Sequence, residues 1–159
     1  MAAAESRLFE EALALRDDLY RYIAASGRDR ELAEDIVQET LFRAHQQEGP
    51  VDYPRRWCFT VALNLLRMHF RRLRFVPLRD SFSDPGWDFT REHAVREQVH
   101  KALRKLTTDQ RTSLLLQILG GFTCAEIAEM EHTTESAVKQ RLYRAREAFR
   151  AAYSKEDRP

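Results

Sequence analysis

Lys139, Gln140, Tyr143, Arg144 and Arg146 crowd into the stretch ESAVKQRLYRARE. On a helix, Val138, Leu142, Ala145 and Phe149 fall at three- and four-residue steps and form an apolar stripe, which leaves the five polar side chains facing largely outward. Amide and guanidinium groups can bond base edges in pairs, and Lys and Arg can neutralise phosphates. A second basic cluster, Arg67, Arg71, Arg72 and Arg74, suits the phosphates of a nucleic-acid strand. Upstream of it Asn64 sits among apolar residues, where a side-chain amide needs a partner or a rim position; on its own it reads as a satisfied core amide. Asp35, Gln38 and Glu39 make an acidic and amide face that would repel DNA, and in isolation they read as a solvated helix surface.

Covalent chemistry has little to work with. The chain has no Gly-rich phosphate loop, no nucleophile elbow and no H-E-x-x-H. His93, Glu97 and His100 recur at helical spacing, but a polar solvent face explains them better than a metal does. Cys58 and Cys124 lie far apart within apolar patterns, which suggests buried reduced thiols. No enzyme, metal or cofactor is expected.

A chain of 159 residues suffices for one ordinary domain or two small helical ones. Five Gly and five Pro are few enough to favour helices over a turn-rich β fold. The net charge of +1 conceals a polarity: residues 1–50 carry eleven acids against six bases, and residues 51–75 carry one acid against six bases. One sharply basic block beside an acidic surface suggests a local nucleic-acid footprint and a separate docking surface. Neither a signal peptide nor a run long enough to cross a bilayer is present, so a cytoplasmic protein without membrane insertion is expected.

Leu8, Ala12, Leu15, Leu19 and Tyr22 predict one amphipathic helix, interrupted at ASGRDRE; Ile36, Val37, Thr40, Leu41 and Ala44 predict a second. RRWCFTVALNLLRMHFRRLRF follows a Gly- and Pro-marked loop and is apolar nearly all round in its first half. VPLRDSFSDPGWDF reads as a linker, giving domains over 1–75 and 93–159 with a linker over 76–92. Beyond it Thr107 with Gln110, and Thr123 with Glu126, have the spacing of capping boxes; Gly120 and Gly121 stop a short apolar helix, and Thr134 can cap the last one. Two helices across a tight turn, with small Ala128 at their crossing, predict a helix-turn-helix. The fold class is therefore all-α, in two small helical domains.

Three segments, in order and with consistent spacing, carry a resemblance: AEDIVQETLFRA (33–44), RRWCFTVALNLLRMHFRR (55–72) and GFTCAEIAEMEHTTESAVKQRLYRAREAF (121–149). Together they resemble the bacterial extracytoplasmic-function sigma factors, two-domain initiation subunits of RNA polymerase. The resemblance implies that Asp35, Gln38 and Glu39 dock on the clamp helices of the β′ subunit of core RNA polymerase, with the β subunit as a further contact. It implies that Asn64 helps to read an extruded base of the −10 element of promoter DNA, with the loop from Tyr53 to Trp57 as a pocket wall and Arg67, Arg71, Arg72 and Arg74 on the strands. Lys139, Gln140, Tyr143 and Arg144 would read the −35 element, with Arg146 nearer the backbone, and an anti-sigma protein is the expected regulator.

The chain departs from the family at Met68, where an acid is common, at His45, where an aromatic often stands, and at Glu131-His132, where Leu-Gly is usual. A Gly there supplies a positive φ that His tolerates better than most residues. Two rivals stay beside the active factor: a sigma mimic that sequesters an anti-sigma protein, and a plain helix-turn-helix regulator, which leaves 33–72 unexplained.

Overall fold

The computed structural model describes residues 2–27, 29–72 and 91–156. Arg74 and nearly all of the linker expected over 76–92 lie outside the described residues. Among those described, the chain forms eight α-helices and no strand. It divides into two compact units, Met1–Ser83 and Asp84–Pro159.

The first unit holds α1 (Ala2–Ala14), α2 (Arg16–Gly27), α3 (Arg30–Gln46) and α4 (Pro54–Arg72). The periodicity that reads as one helix is in fact divided between α1 and α2. The Leu15 N–H is shared between the carbonyls of Glu11 and Ala12, each at 3.1 Å, a tightening typical of a helix end. Leu8, Ala12, Leu19 and Tyr22 are buried on both sides of the break, so the hydrophobic period runs through it.

Helix α3 starts at Asp29, whose carboxylate accepts from the Leu32 N–H at 3.1 Å. It buries Ala33, Ile36, Val37, Thr40 and Ala44 against α1 and α2. The buried Thr40 hydroxyl returns its hydrogen bond to the Ile36 carbonyl at 2.8 Å, so it leaves no unsatisfied donor in the core. Helix α4 opens on Pro54, a residue that suits the first helical turn. It packs on α1, α2 and α3 through Cys58, Phe59, Ala62, Leu63 and Leu66.

The second unit holds α5 (Arg91–Arg104), α6 (Thr108–Ile118), α7 (Cys124–Met130) and α8 (Glu135–Glu156), with α8 packed against the other three. Both expected capping boxes form: Thr107 and Gln110 bond reciprocally at 3.1 and 3.2 Å, and Thr123 and Glu126 at the same distances. Thr134 caps α8 by accepting from the Ala137 N–H at 3.1 Å.

The turn from α7 to α8 is a Schellman motif. The Thr133 N–H bonds the Ala128 carbonyl at 2.9 Å, the His132 N–H bonds that of Glu129 at 3.4 Å, and His132 takes φ 54°. His thus occupies the left-handed position that the sequence departure anticipates.

Candidate nucleic-acid interface

On α8, Val138, Leu142 and Ala145 are buried, and Lys139, Gln140, Tyr143, Arg144 and Arg146 are all exposed. Tyr143 keeps 67% of its surface in solvent. Lys139 pairs with Glu135 at 3.2 Å across one turn, a surface contact that a phosphate could displace at small cost. Arg146 bonds the Gln117 side chain of α6, so it is tethered at the edge of the face. Ile127, Ala128 and Met130 of α7 are buried beneath α8, which lets the two helices cross closely.

Arg141 is the cation of this run that does not join the face. It turns inward, with its Nη1 donating to Glu131 Oε2 at 3.1 Å and to Ser113 Oγ at 3.2 Å. The sequence offers no signal for this, because the acceptors come from α6 and from the α7–α8 turn.

Helix α4 carries the second basic face. Asn64, Met68, Arg71 and Arg72 are exposed, and Arg67 is half-buried. Asn64, Met68 and Arg71 recur at four- and three-residue steps, so they share one side of the helix. The reading of Asn64 as a satisfied core amide is corrected: the buried stripe passes through Leu63 and Leu66 and turns residue 64 to solvent. Trp57 is half-buried two turns before Asn64 on the same side. It belongs to α4 and not to a loop, because the helix already begins at Pro54. Ahead of the helix, Tyr53 is exposed with the Arg56 guanidinium over its ring at 4.4 Å. His69, Arg71 and Arg72 lie in the last turn of α4, where the helix dipole favours cations.

The acidic face of α3 is open as well. Asp35 and Gln38 are exposed, whereas Glu39 is partly covered and paired with Arg43 at 2.8 Å. Sequence reasoning misses Phe42, which is 53% exposed and lies four residues beyond Gln38, extending the same face. The available signal is that Phe42 falls between the buried positions Thr40 and Ala44 and outside the stripe they continue. Gln38 also borders a cleft of about 530 Å³ lined by Arg16, Asp17, Tyr20, Glu34, Val37 and Leu41.

The two thiols differ. Cys58 is buried and its pKa is pushed up to about 12, first by burial and then by the Glu11 carboxylate. Cys124 is only partly covered, against the expectation of a buried thiol. Among the described residues, no three His, Cys, Asp or Glu side chains are gathered as a metal site, and no helix is long and apolar enough to cross a membrane.

Comparison with known proteins finds the Sigma-70 region 2 family over residues 12–76 and the Sigma-70 region 4 family over residues 96–149. The ECF RNA polymerase sigma factor SigL of Mycobacterium tuberculosis is 34% identical, over 94% of this chain and 90% of its own length. The ECF RNA polymerase sigma factor BldN of Streptomyces coelicolor is 31% identical over 91% of this chain, which spans 58% of that relative. Among solved structures, the sigma factor RpoE in complex with the anti-sigma factor NepR from Bartonella quintana superposes with a TM-score of 0.76 at 25% identity, covering 94% of this chain and 97% of the other. CnrH in complex with the cytosolic domain of CnrY gives a TM-score of 0.73 at 25% identity, covering 99% and 96%.

Proposed function

Because this chain belongs to the extracytoplasmic-function sigma factors of RNA polymerase, we propose that it joins core polymerase through α3, captures the −10 element through α4 and reads the −35 element through α8. Sigma factors are transcription initiation factors and not enzymes, so the work is recognition and strand capture.

The reading rests most heavily on α8. Its stripe of Val138, Leu142 and Ala145 is sunk in the core, so Gln140, Tyr143 and Arg144 must project outward together. A rigid helix of that kind fits a major groove, with the amide and guanidinium reading base edges and Lys139 and Arg146 supporting on phosphates. Strand capture on α4 has different needs. Asn64 can bond the Watson–Crick edge of an unpaired base, the Trp57 ring can stack beside it, and Arg67, Arg71 and Arg72 can follow the phosphates. Arg74 extends that basic run in the sequence.

Asp35, Gln38 and Glu39 form the docking face toward the β′ clamp helices, and Phe42 supplies an apolar anchor among them. An acidic rim around an aromatic suits a protein partner better than DNA. The β subunit is a further expected contact. The similar sigma factor solved with the anti-sigma factor NepR supports an anti-sigma partner for this chain too. A cytoplasmic location comes with a role on core polymerase.

In-vitro transcription with core polymerase on a promoter library tests the whole reading. New start sites that appear only with this protein are the expected result. Association with core without any new transcript would replace it with a sequestering mimic, and DNA binding without core association would leave a helix-turn-helix regulator.

A further inference from the structure

Three elements of the second unit meet at one buried polar cluster. The Glu131 side chain, at the C-cap of α7, retains only 2% of its exposure. Its Oε2 accepts from Ser113 Oγ of α6 at 2.7 Å and from Arg141 Nη1 of α8 at 3.1 Å. The same Nη1 donates to Ser113 Oγ at 3.2 Å, closing a triangle. Ser113 is fully buried, and the Arg141 side chain is 23% exposed.

We propose that Ser113, Glu131 and Arg141 are positioning residues that fix the rotation of α8 about its axis, and so decide which side chains reach the −35 bases. The inference rests on the function proposed above and adds a determinant of its selectivity. Arg141 follows Gln140 directly and stands two and three residues before Tyr143 and Arg144. Holding its guanidinium on Glu131 therefore holds the angular position of all three, since each residue advances the helix by about 100°.

The apolar stripe alone does not hold that angle tightly. Dispersion contacts are non-directional, and the stripe includes the small Ala145, so a modest rotation keeps Val138 and Leu142 covered. The cluster behaves otherwise. Charge-assisted hydrogen bonds are short and directional, and a buried carboxylate cannot exchange a lost partner for water. The turn adds to this, because Glu131 precedes His132 at φ 54°, and the Schellman bonds fix where the carboxylate emerges. A buried ion pair adds little stability over well-packed apolar side chains of equal volume, whereas it can specify one arrangement among several.

The experiment uses the full chain assembled with core polymerase. A −35 sequence is first selected from a randomised library by the unaltered protein. Binding is then compared between that sequence and single-base variants of it, with the rest of the promoter constant. The double substitution Glu131→Leu with Arg141→Leu removes the charges together. It is expected to keep its helical circular dichroism and its association with core, while the preference for the selected −35 sequence falls by about tenfold. Ser113→Ala removes both bonds of the hydroxyl and leaves the Glu131–Arg141 pair in place, with an expected fall of about threefold. A merely structural cluster would weaken binding to every promoter alike and leave the preference intact. That outcome in the folded double variant overturns the proposal. Should the double variant not fold, an unchanged preference in Ser113→Ala overturns it equally. If the unaltered protein selects no −35 sequence at all, the proposed function falls first and this inference with it.

Discussion

Gly120 and Gly121 are adjacent, yet replacing each by Ala tests different physics. A Cβ at Gly120 would meet the Leu116 carbonyl oxygen at 2.5 Å and the Phe122 ring at 2.6 and 2.7 Å. Neither can yield easily: the Leu116 oxygen accepts the Phe122 N–H at 3.3 Å, and Phe122 is buried. Overpacking of this kind costs about 1–3 kcal/mol, and a clash with backbone belongs at the top of that range. A more restricted unfolded chain returns about 0.4–1 kcal/mol, leaving a net loss of about 2 kcal/mol. At Gly121 a Cβ would meet nothing within 4 Å, but the residue holds φ +72°. Left-handed backbone costs an L-residue about 1–2 kcal/mol, and after the same entropy return the net loss is about 0.5–1 kcal/mol. Asn tolerates the left-handed region, so Gly121→Asn should be milder than Gly121→Ala, whereas Gly120→Asn should be at least as harmful as Gly120→Ala. Hydrogen exchange of peptides from α6 to α8 in the full chain reports this unit by itself. A 2 kcal/mol loss accelerates globally protected amides about 30-fold, against about 2- to 5-fold for Gly121→Ala. Equal effects at the two glycines, or no advantage of Asn over Ala at residue 121, would refute the assignment of steric conflict to one and backbone strain to the other.

Phe42→Ala should leave the fold nearly as stable, because the ring is already half in solvent, but weaken association with core polymerase by about 2 kcal/mol; titration of labelled protein with core checks this, and an unchanged affinity removes Phe42 from the docking face. Arg144→Ala should cost about 1–3 kcal/mol at the −35 element if it bonds a base, and it should relax selectivity at that position alone. A uniform loss across all −35 sequences would mark Arg144 as a phosphate contact instead. With its pKa pushed up to about 12 from 9.0, Cys58 should resist alkylation. At pH 8 its thiolate fraction is about a thousandth of that of an ordinary thiol, so iodoacetamide should label Cys124 first and Cys58 only on unfolding. The same raised value makes the folded state lose stability as pH climbs from about 9 toward 12, since the unfolded thiol releases its proton earlier. Labelling of Cys58 at the rate of Cys124 in the folded chain would contradict its burial.

The two capping boxes, the stop at Gly120 and Gly121, the cap at Thr134 and the left-handed His132 are all legible in the amino-acid order, because each is decided by residues within about five positions. The stripes that make α3, α4 and α8 helical are legible for the same reason, as is the outward face of α8 opposite Val138, Leu142 and Ala145. The break at Leu15 is not, since the buried stripe continues through it and the period carries no mark of a shared hydrogen bond. Nor is the exposure of Asn64, which depends on which side of α4 the other three helices cover.

The inward turn of Arg141 is the sharpest case. It stands among the outward-facing Lys139, Gln140, Tyr143 and Arg144, and its acceptors lie 10 and 28 positions away. Sequence order alone determined the caps and stops of the second unit and the apolar sides of α3 and α8, because those are short-range hydrogen bonds and a 3.6-residue period. Only the tertiary structure decided which charges face solvent and which are spent inside, because a buried charge is tolerated solely where distant elements bring partners to it.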